Sequence, residues 1–277
     1  MSLSCFNIVK RSSYGSRPVP ETIYTDVVFV GDRSGSMWDM GQSPREGASE
    51  FMTKYRDFAN EHKDRNIHVV MITFDDEQEI IYDGDAKHIN SSDIGYAYNS
   101  MEPRGTTRLY DTVMFAIYQQ QNRINNILNG MSREVRLLQP ELCISFTLLT
   151  DGEDNMSHMF SKEEMAIEIR THRRKYNAQC FFAAANQNAL IVGNEYGFGR
   201  DNSLQMSTNE EEAMEAFRAC TNSSIRCASR EPSGYTIAER EASCAVADYF
   251  SEEEVEDSQS GYELEESLSF DGRAMRC

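Results

Sequence analysis

Asp32, Ser34 and Ser36 alternate in the stretch VVFVGDRSGSM, so oxygen-bearing side chains stand at every second position of a short run. Two further stretches carry the same kinds of atom: Gly105-Thr106-Thr107-Arg108-Leu109 and Asp151-Gly152-Glu153-Asp154. Carboxylates and hydroxyls are hard donors that suit Mg²⁺ or Mn²⁺ rather than zinc. An octahedral Mg²⁺, with oxygens at about 2.1 Å, keeps waters or an external carboxylate in part of its shell. Alternation lets Asp32, Ser34 and Ser36 converge from a turning loop while Arg33 and Gly35 point elsewhere or permit the turn.

Such chemistry requires elements that bring the three stretches together, and the apolar pattern supplies them. Ile23–Val30, Ile67–Phe74, Leu142–Thr150 and Gln179–Ala185 are runs rich in apolar and β-branched residues, the pattern of strands buried on both faces. Glu79–Tyr82 reads as a short antiparallel strand across the acidic turn Asp75-Asp76-Glu77, and Ser203–Met206 as an edge strand. Helical spacing marks Pro44–Lys63, Leu109–Gly130, a segment from the Ser161/Glu164 capping box to about Tyr176, Leu190–Tyr196 and Glu210–Cys220. Residues 84–106 read as polar and irregular, with one helical turn near Ser92–Tyr98. Strands alternating with helices predict an α/β fold: a doubly wound, Rossmann-like, mostly parallel sheet with one antiparallel edge strand and helices on both faces. In such a sheet ligands bind beyond the carboxyl ends of the strands, which places all three stretches at one edge.

At these residues the sequence resembles the von Willebrand factor A domain family, in its soluble intracellular bacterial and viral form. That family's metal-ion-dependent adhesion site reads D-x-S-x-S, then a Thr before a long helix, then an Asp after the fourth strand. The matching residues are Asp32, Ser34 and Ser36, Thr107 in RGTTRLYDTV, and Asp151 in LLTDGEDN; the family's T-x-L-Y-D text selects Thr107 over Thr106. The resemblance extends through FFAAANQNA at 181–189 and EEEAMEAF at 211–217, and covers residues 23–220. It implies a complete site holding a divalent cation, Mg²⁺ first and Mn²⁺ or Ca²⁺ as alternatives. It also implies a protein partner that presents an Asp or Glu to the ion, often within a multiprotein assembly. Gly31 departs from the apolar residue most members carry before the first Asp, and is expected to loosen the loop.

Trp38 follows the first loop and is a candidate binding anchor, with covering the first helix as the alternative; Arg108, Glu153 and Asp154 complete a candidate rim. Other function classes stay open but are less well supplied. A Mg²⁺-dependent phosphohydrolase with Asp32 as nucleophile needs a general acid and a phosphate-holding cation, yet none of the three loops contains Lys, and only Arg33, Arg104 and Arg108 could substitute. A non-enzymatic binding module is therefore the expected class, with a structural subunit of a larger particle such as a virus shell as the alternative.

The chain has 277 residues, 40% of them apolar, and a formal charge of -18. Residues 209–277 hold 17 Asp/Glu against six Lys/Arg, so much of the excess lies past the resemblance. Net negative charge argues against nucleic acid or an anionic membrane surface as the main partner. No apolar run is long enough for a membrane span or a secretory signal, and seven scattered cysteines include no C-x-x-C pair, which together predict a cytoplasmic protein, or a virion component if viral. Cys220 and Cys227 read as buried free thiols. The expected organisation is an N-terminal arm over 1–22, the α/β domain over 23–228, and an acidic extension over 229–277.

Overall fold

A computed structural model describes residues 23–131 and 142–244, so the arm and residues 245–277, with the most acidic part of the extension, lie outside the described residues. The central strand β1 (Ile23–Asp32) is flanked by the parallel strands β2 (Arg65–Phe74) and β4 (Leu142–Thr150), and β3 (Gln78–Asp85) pairs antiparallel with β2. On the other side follow β5 (Gln179–Ala184) and the short edge strand β6 (Ser203–Gln205), giving the order β3-β2-β1-β4-β5-β6. This is the doubly wound, mostly parallel sheet with one antiparallel edge strand that the apolar runs predict. The chain winds outward from β1 in one direction and from β4 in the other. The strand order therefore reverses between β1 and β4, where Asp32 ends one strand and Asp151 follows the next.

Each buried strand feeds two cores because successive side chains point to opposite faces. Val27 and Phe29 of β1 and Val69 and Met71 of β2 pack under α1 (Ser43–Glu61), α2 (Ser91–Ser100) and α6 (Glu210–Ser229). Val28, Val30, Val70 and Ile72 pack under α3 (Leu109–Gly130), α4 (Lys162–Tyr176) and α5 (Ala189–Glu195). Helices α1 and α6 approach closely at Gly47, where a Cβ would sit 2.4 Å from the Phe217 ring. Gly47→Ala is accordingly expected to lower stability by about 1–3 kcal/mol, read as a shift of the urea midpoint, because the added methyl overpacks the interface.

Three expectations change. Residues 91–100 form a full helix rather than one turn, because Asn90 accepts from the amides of Ser92 and Asp93 while Asp93 returns a bond to the Asn90 amide. Helix α6 runs to Ser229 rather than ending near Cys220. Its polar second half is buried, and Ser224 joins Tyr55 (2.5 Å) and Ser145 (2.8 Å) in a chain of hydroxyls. The domain boundary expected at residue 228 falls inside the folded unit. Tyr235 is buried against Phe181 with ring centroids 5.8 Å apart, and α7 (Ile237–Ser243) is held by the Arg226–Glu239 pair and the Ser207 amide on the Ser243 carbonyl.

Gly31 does not loosen its strand. It is paired with Thr73 on one side and Leu149 on the other, and a Cβ there would come within 3.1 Å of the Met101 thioether at the end of α2. The glycine makes room for that methionine. Cys143, Cys180, Cys220 and Cys227 are buried free thiols and Cys244 is a half-buried one, whereas Cys5 and Cys277 lie outside the described residues. Among the described residues no helix is long and apolar enough to cross a membrane.

Candidate metal centre

Asp32 is the last residue of β1 and fully buried. Its two oxygens are oriented by different groups: the Ser34 amide donates to Oδ1 at 2.7 Å and the Thr150 hydroxyl to Oδ2 at 2.6 Å. The first bond is an Asx turn, and it bends the chain so that Ser34 and Ser36 face back toward β4. Their hydroxyls lie 3.1 Å apart, and Ser36 donates to Asp151 Oδ1 at 2.8 Å. Ser34 lies 3.5 Å from the same oxygen. Ser34 is buried, whereas Ser36 opens to solvent, so the cluster has a closed floor and an accessible mouth.

Thr107 reaches the same place from the second loop. A Cβ built on Gly152 would stand 3.8 Å from both Thr107 Oγ1 and Ser36 Oγ, which places both hydroxyls beside one glycine. Gly105, in the left-handed region at φ 66°, turns this loop beneath the first, where its carbonyl accepts from the Gly35 amide at 3.2 Å. Thr107 is then gripped by the third loop: its amide donates to Asn155 Oδ1 at 2.9 Å, and its carbonyl accepts from the amides of Asn155 and Met156.

Asp151 is buried, and its Oδ2 is a buried oxygen with no hydrogen-bond partner. An unpartnered buried carboxylate oxygen is costly and calls for a compensating cation or proton. Electrostatics give the same reading. Burial, reinforced by the Asp151 charge, pushes the Asp32 carboxyl up to about 7, and burial, reinforced by Asp39, raises Asp151 above the ordinary carboxylate range. Two buried carboxylates and three hydroxyls from Asp32, Asp151, Ser34, Ser36 and Thr107 thus converge at the switch point. Their donor set fits a hard divalent cation. Among the described residues no group of three or more His, Cys, Asp and Glu is placed to hold a metal; the cluster here offers two carboxylates, with hydroxyls as its other donors.

The rim residues divide. Trp38, in a 3-10 turn over Gly35–Met40, is 64% exposed and leaves the cover of the first core to Met37 and Met40. Glu153 is exposed. Asp154 is turned inward instead, capping α3 by accepting from the amides of Leu109 (2.8 Å) and Tyr110 (3.3 Å). Arg108 is tied to Asp111 at 2.9 Å, and Asp111 also accepts from the amides of His158, Met159 and Phe160. Both are internal braces of the third loop. Exposed Met156 and Met159 take their place on the surface beside it. Sequence reading also passed over Thr150, whose hydroxyl orients Asp32; its adjacency to Asp151 in LLTDG was the only signal.

No protein-family model and no curated protein matches the sequence. Solved structures of similar fold include proximal thread matrix protein 1 from the mussel byssus, at 15% identity over 74% of this chain and 47% of that one, with a TM-score of 0.45. A von Willebrand factor type A protein from Catenulispora acidiphila aligns at 16% identity over 74% of this chain and 43% of that one, TM-score 0.45. The PilB minor pilin from Streptococcus sanguinis aligns at 14% identity over 76% of this chain and 63% of that one, TM-score 0.49. The chain thus spans less than two thirds of the length of each.

Proposed function

We propose that Asp32, Ser34, Ser36, Thr107 and Asp151 hold a divalent cation, Mg²⁺ first among the hard ions, and that the domain is a non-enzymatic module binding a protein partner through an Asp or Glu. The observation that carries this reading is the buried, unpartnered Oδ2 of Asp151 within a cluster of hard donors that opens to solvent at Ser36. When bound, the ion supplies a positive charge with coordination positions free for an external carboxylate. The protein's own residues prepare that place. Thr150 and the Ser34 amide fix the plane of the Asp32 carboxylate, the Asn186 side chain donates to the Asp151 carbonyl at 3.2 Å, and the hydroxyls of Ser34 and Ser36 offer lone pairs.

A binding role is favoured over hydrolysis by what the neighbouring cations do. The Arg33 guanidinium is engaged by Asp75, Thr73, Glu79 and the Ser100 carbonyl, and Arg108 by Asp111, so neither is directed to a phosphate. Among the described residues no imidazole hydrogen-bonds to Ser34, Ser36 or Thr107 in the manner of a general base. Exposed Trp38, two positions past Ser36, and exposed Met156, whose amide donates to the Thr107 carbonyl, offer apolar contact surface. The test is a set of short peptides, each carrying one Glu or Asp and matched with its Gln or Asn counterpart, titrated against the full chain in saturating Mg²⁺ and in chelator. Binding that requires both the acid and the ion is expected. Binding indifferent to either would refute the role.

A further inference from the structure

Arg33 stands between two of the candidate ligands yet points away from them. Its guanidinium is buried, with Nε on Asp75 Oδ2 at 2.9 Å and Nη1 on Thr73 at 3.0 Å and Glu79 at 2.9 Å. The Arg33 amide donates to the Phe74 carbonyl at 2.8 Å. The loop carrying Asp32, Ser34 and Ser36 is therefore pinned at its second residue to the end of β2.

The second loop is pinned to the same residue at both of its ends. Arg104 Nε donates to Asp75 Oδ2 at 2.6 Å, and the Arg108 amide donates to the Asp75 carbonyl at 2.8 Å, so residue 75 straddles the segment that contains Thr107. A further bond joins the two loops directly, from the Arg104 amide to the Arg33 carbonyl at 2.7 Å. Asp75 is itself immobilised: it is buried, and the Glu77 amide donates to its Oδ1 at 2.7 Å. The approach is close enough that a Cβ on Gly105 would meet Asp76 Oδ1 at 2.2 Å. One buried carboxylate thus receives a guanidinium from each of two loops that bear candidate ligands, and touches none of those ligands.

We infer that Asp75 is a positioning residue of the cation centre, setting Thr107 against the Asp32–Ser36 loop through the guanidinium groups of Arg33 and Arg104. The inference rests on the cation reading above. Replacing Asp75 by Asn keeps the shape and an acceptor for the Glu77 amide but removes the charge that both guanidinium groups share. Arg104, which is largely exposed, then loses its charged anchor and can swing into solvent, leaving the Thr107 loop joined to the first by backbone bonds alone.

The test is Mg²⁺ affinity measured by calorimetry on the full chain as wild type, Asp75→Asn, Thr107→Ala and the double variant. Asp75→Asn is expected to weaken Mg²⁺ about tenfold, the scale of groups that orient metal ligands. In the Thr107→Ala background the same change is expected to cost only about twofold or less, because the residue it positions is gone. The urea midpoint of the ion-free protein should fall equally in both backgrounds, so a merely structural role cannot produce the difference. An equal loss of affinity with and without Thr107, or no loss in either, would overturn the inference while leaving the cation reading intact. Absence of Mg²⁺ binding by the wild type would overturn both. If Asp75→Asn does not fold, Arg104→Gln removes one of the two pairs at an exposed position, and the same non-additivity with Thr107→Ala decides the matter.

Discussion

Stripped of divalent ions by a chelator, the wild-type protein is expected to lose about 3 kcal/mol of stability from Asp32 alone as the pH rises from about 4 to about 7. The carboxyl moves from an ordinary 3.8 to about 7 on folding, chiefly through burial and next through the nearby Asp151 charge. Below 3.8 both the folded and unfolded chains hold the proton, so the penalty is absent there. Between 3.8 and 7 the unfolded chain releases the proton while the folded chain keeps it, and stability falls until Asp32 ionises in the fold as well. Asp151, raised in the same direction, adds to the slope. Carboxylates held low by their partners, such as Asp75 with Arg104 and Arg33, slope the other way, because their stabilisation is lost as the pH falls. The decisive quantity is therefore the difference between wild type and Asp32→Asn, measured by urea unfolding across pH 4–8 in chelator. The variant should be the more stable of the two by pH 7, and saturating Mg²⁺ should reverse that order. Parallel curves for the two proteins would mean that the buried carboxylate carries no such penalty.

The second large effect belongs to Asp151→Ala. Its carboxylate is one of only two in the centre, and at about 4 Å in an effective dielectric of 20 each charge attracts a monovalent cation by about 4 kcal/mol, and a divalent one more, before desolvation is set against it. Loss of Mg²⁺ affinity of about 100-fold, equivalent to about 2.7 kcal/mol, is the expected result. Without the ion two effects oppose each other: the variant removes a buried oxygen that has no partner and also the one that accepts from Ser36, so the chelated protein should lose far less stability than the Mg²⁺-bound protein. A residue that merely supported the fold would lower stability under both conditions. Unfolding in Mg²⁺ and in chelator separates the cases, and a loss of equal size in both would remove Asp151 from the centre.

The parts of the fold legible in the sequence are those governed by burial. Runs such as IHVVMITF and LCISFTLLT contain no Asp, Glu, Lys or Arg on either face, which calls for strands covered by helices on both sides. Once the strand ends are known, the gathering of Asp32, Ser34, Ser36, Thr107 and Asp151 at one edge follows from sheet direction. Tertiary polar contacts were not legible, because periodicity reports the apolar face and is silent on which polar groups meet. Asp75 looks like an acidic turn residue, yet it is the buried node of two loops. Asp154 looks like a surface acid, yet it caps α3 from a loop 45 positions away. The same limit hid the second half of α6, whose serines appear solvent-directed in sequence but meet Tyr55 and Ser145 inside.

Charge on the described domain also takes on a more specific meaning. Much of the local acidity is neutralised by Arg33, Arg104, Arg108 and Arg123, each paired with a buried Asp. Asp32 and Asp151 are the exceptions: they are buried, close to one another, and bonded only to hydroxyls and amides. That contrast within one sheet edge is what singles out the centre.

Whether Asp32 and Asp151 together hold an ion is decided by calorimetric titration of Mg²⁺ into the chelator-stripped full chain at pH 7. Saturable binding to one site is expected in the wild type and none in Asp32→Ala. No heat in the wild type, or equal heats in the two proteins, would contradict this expectation.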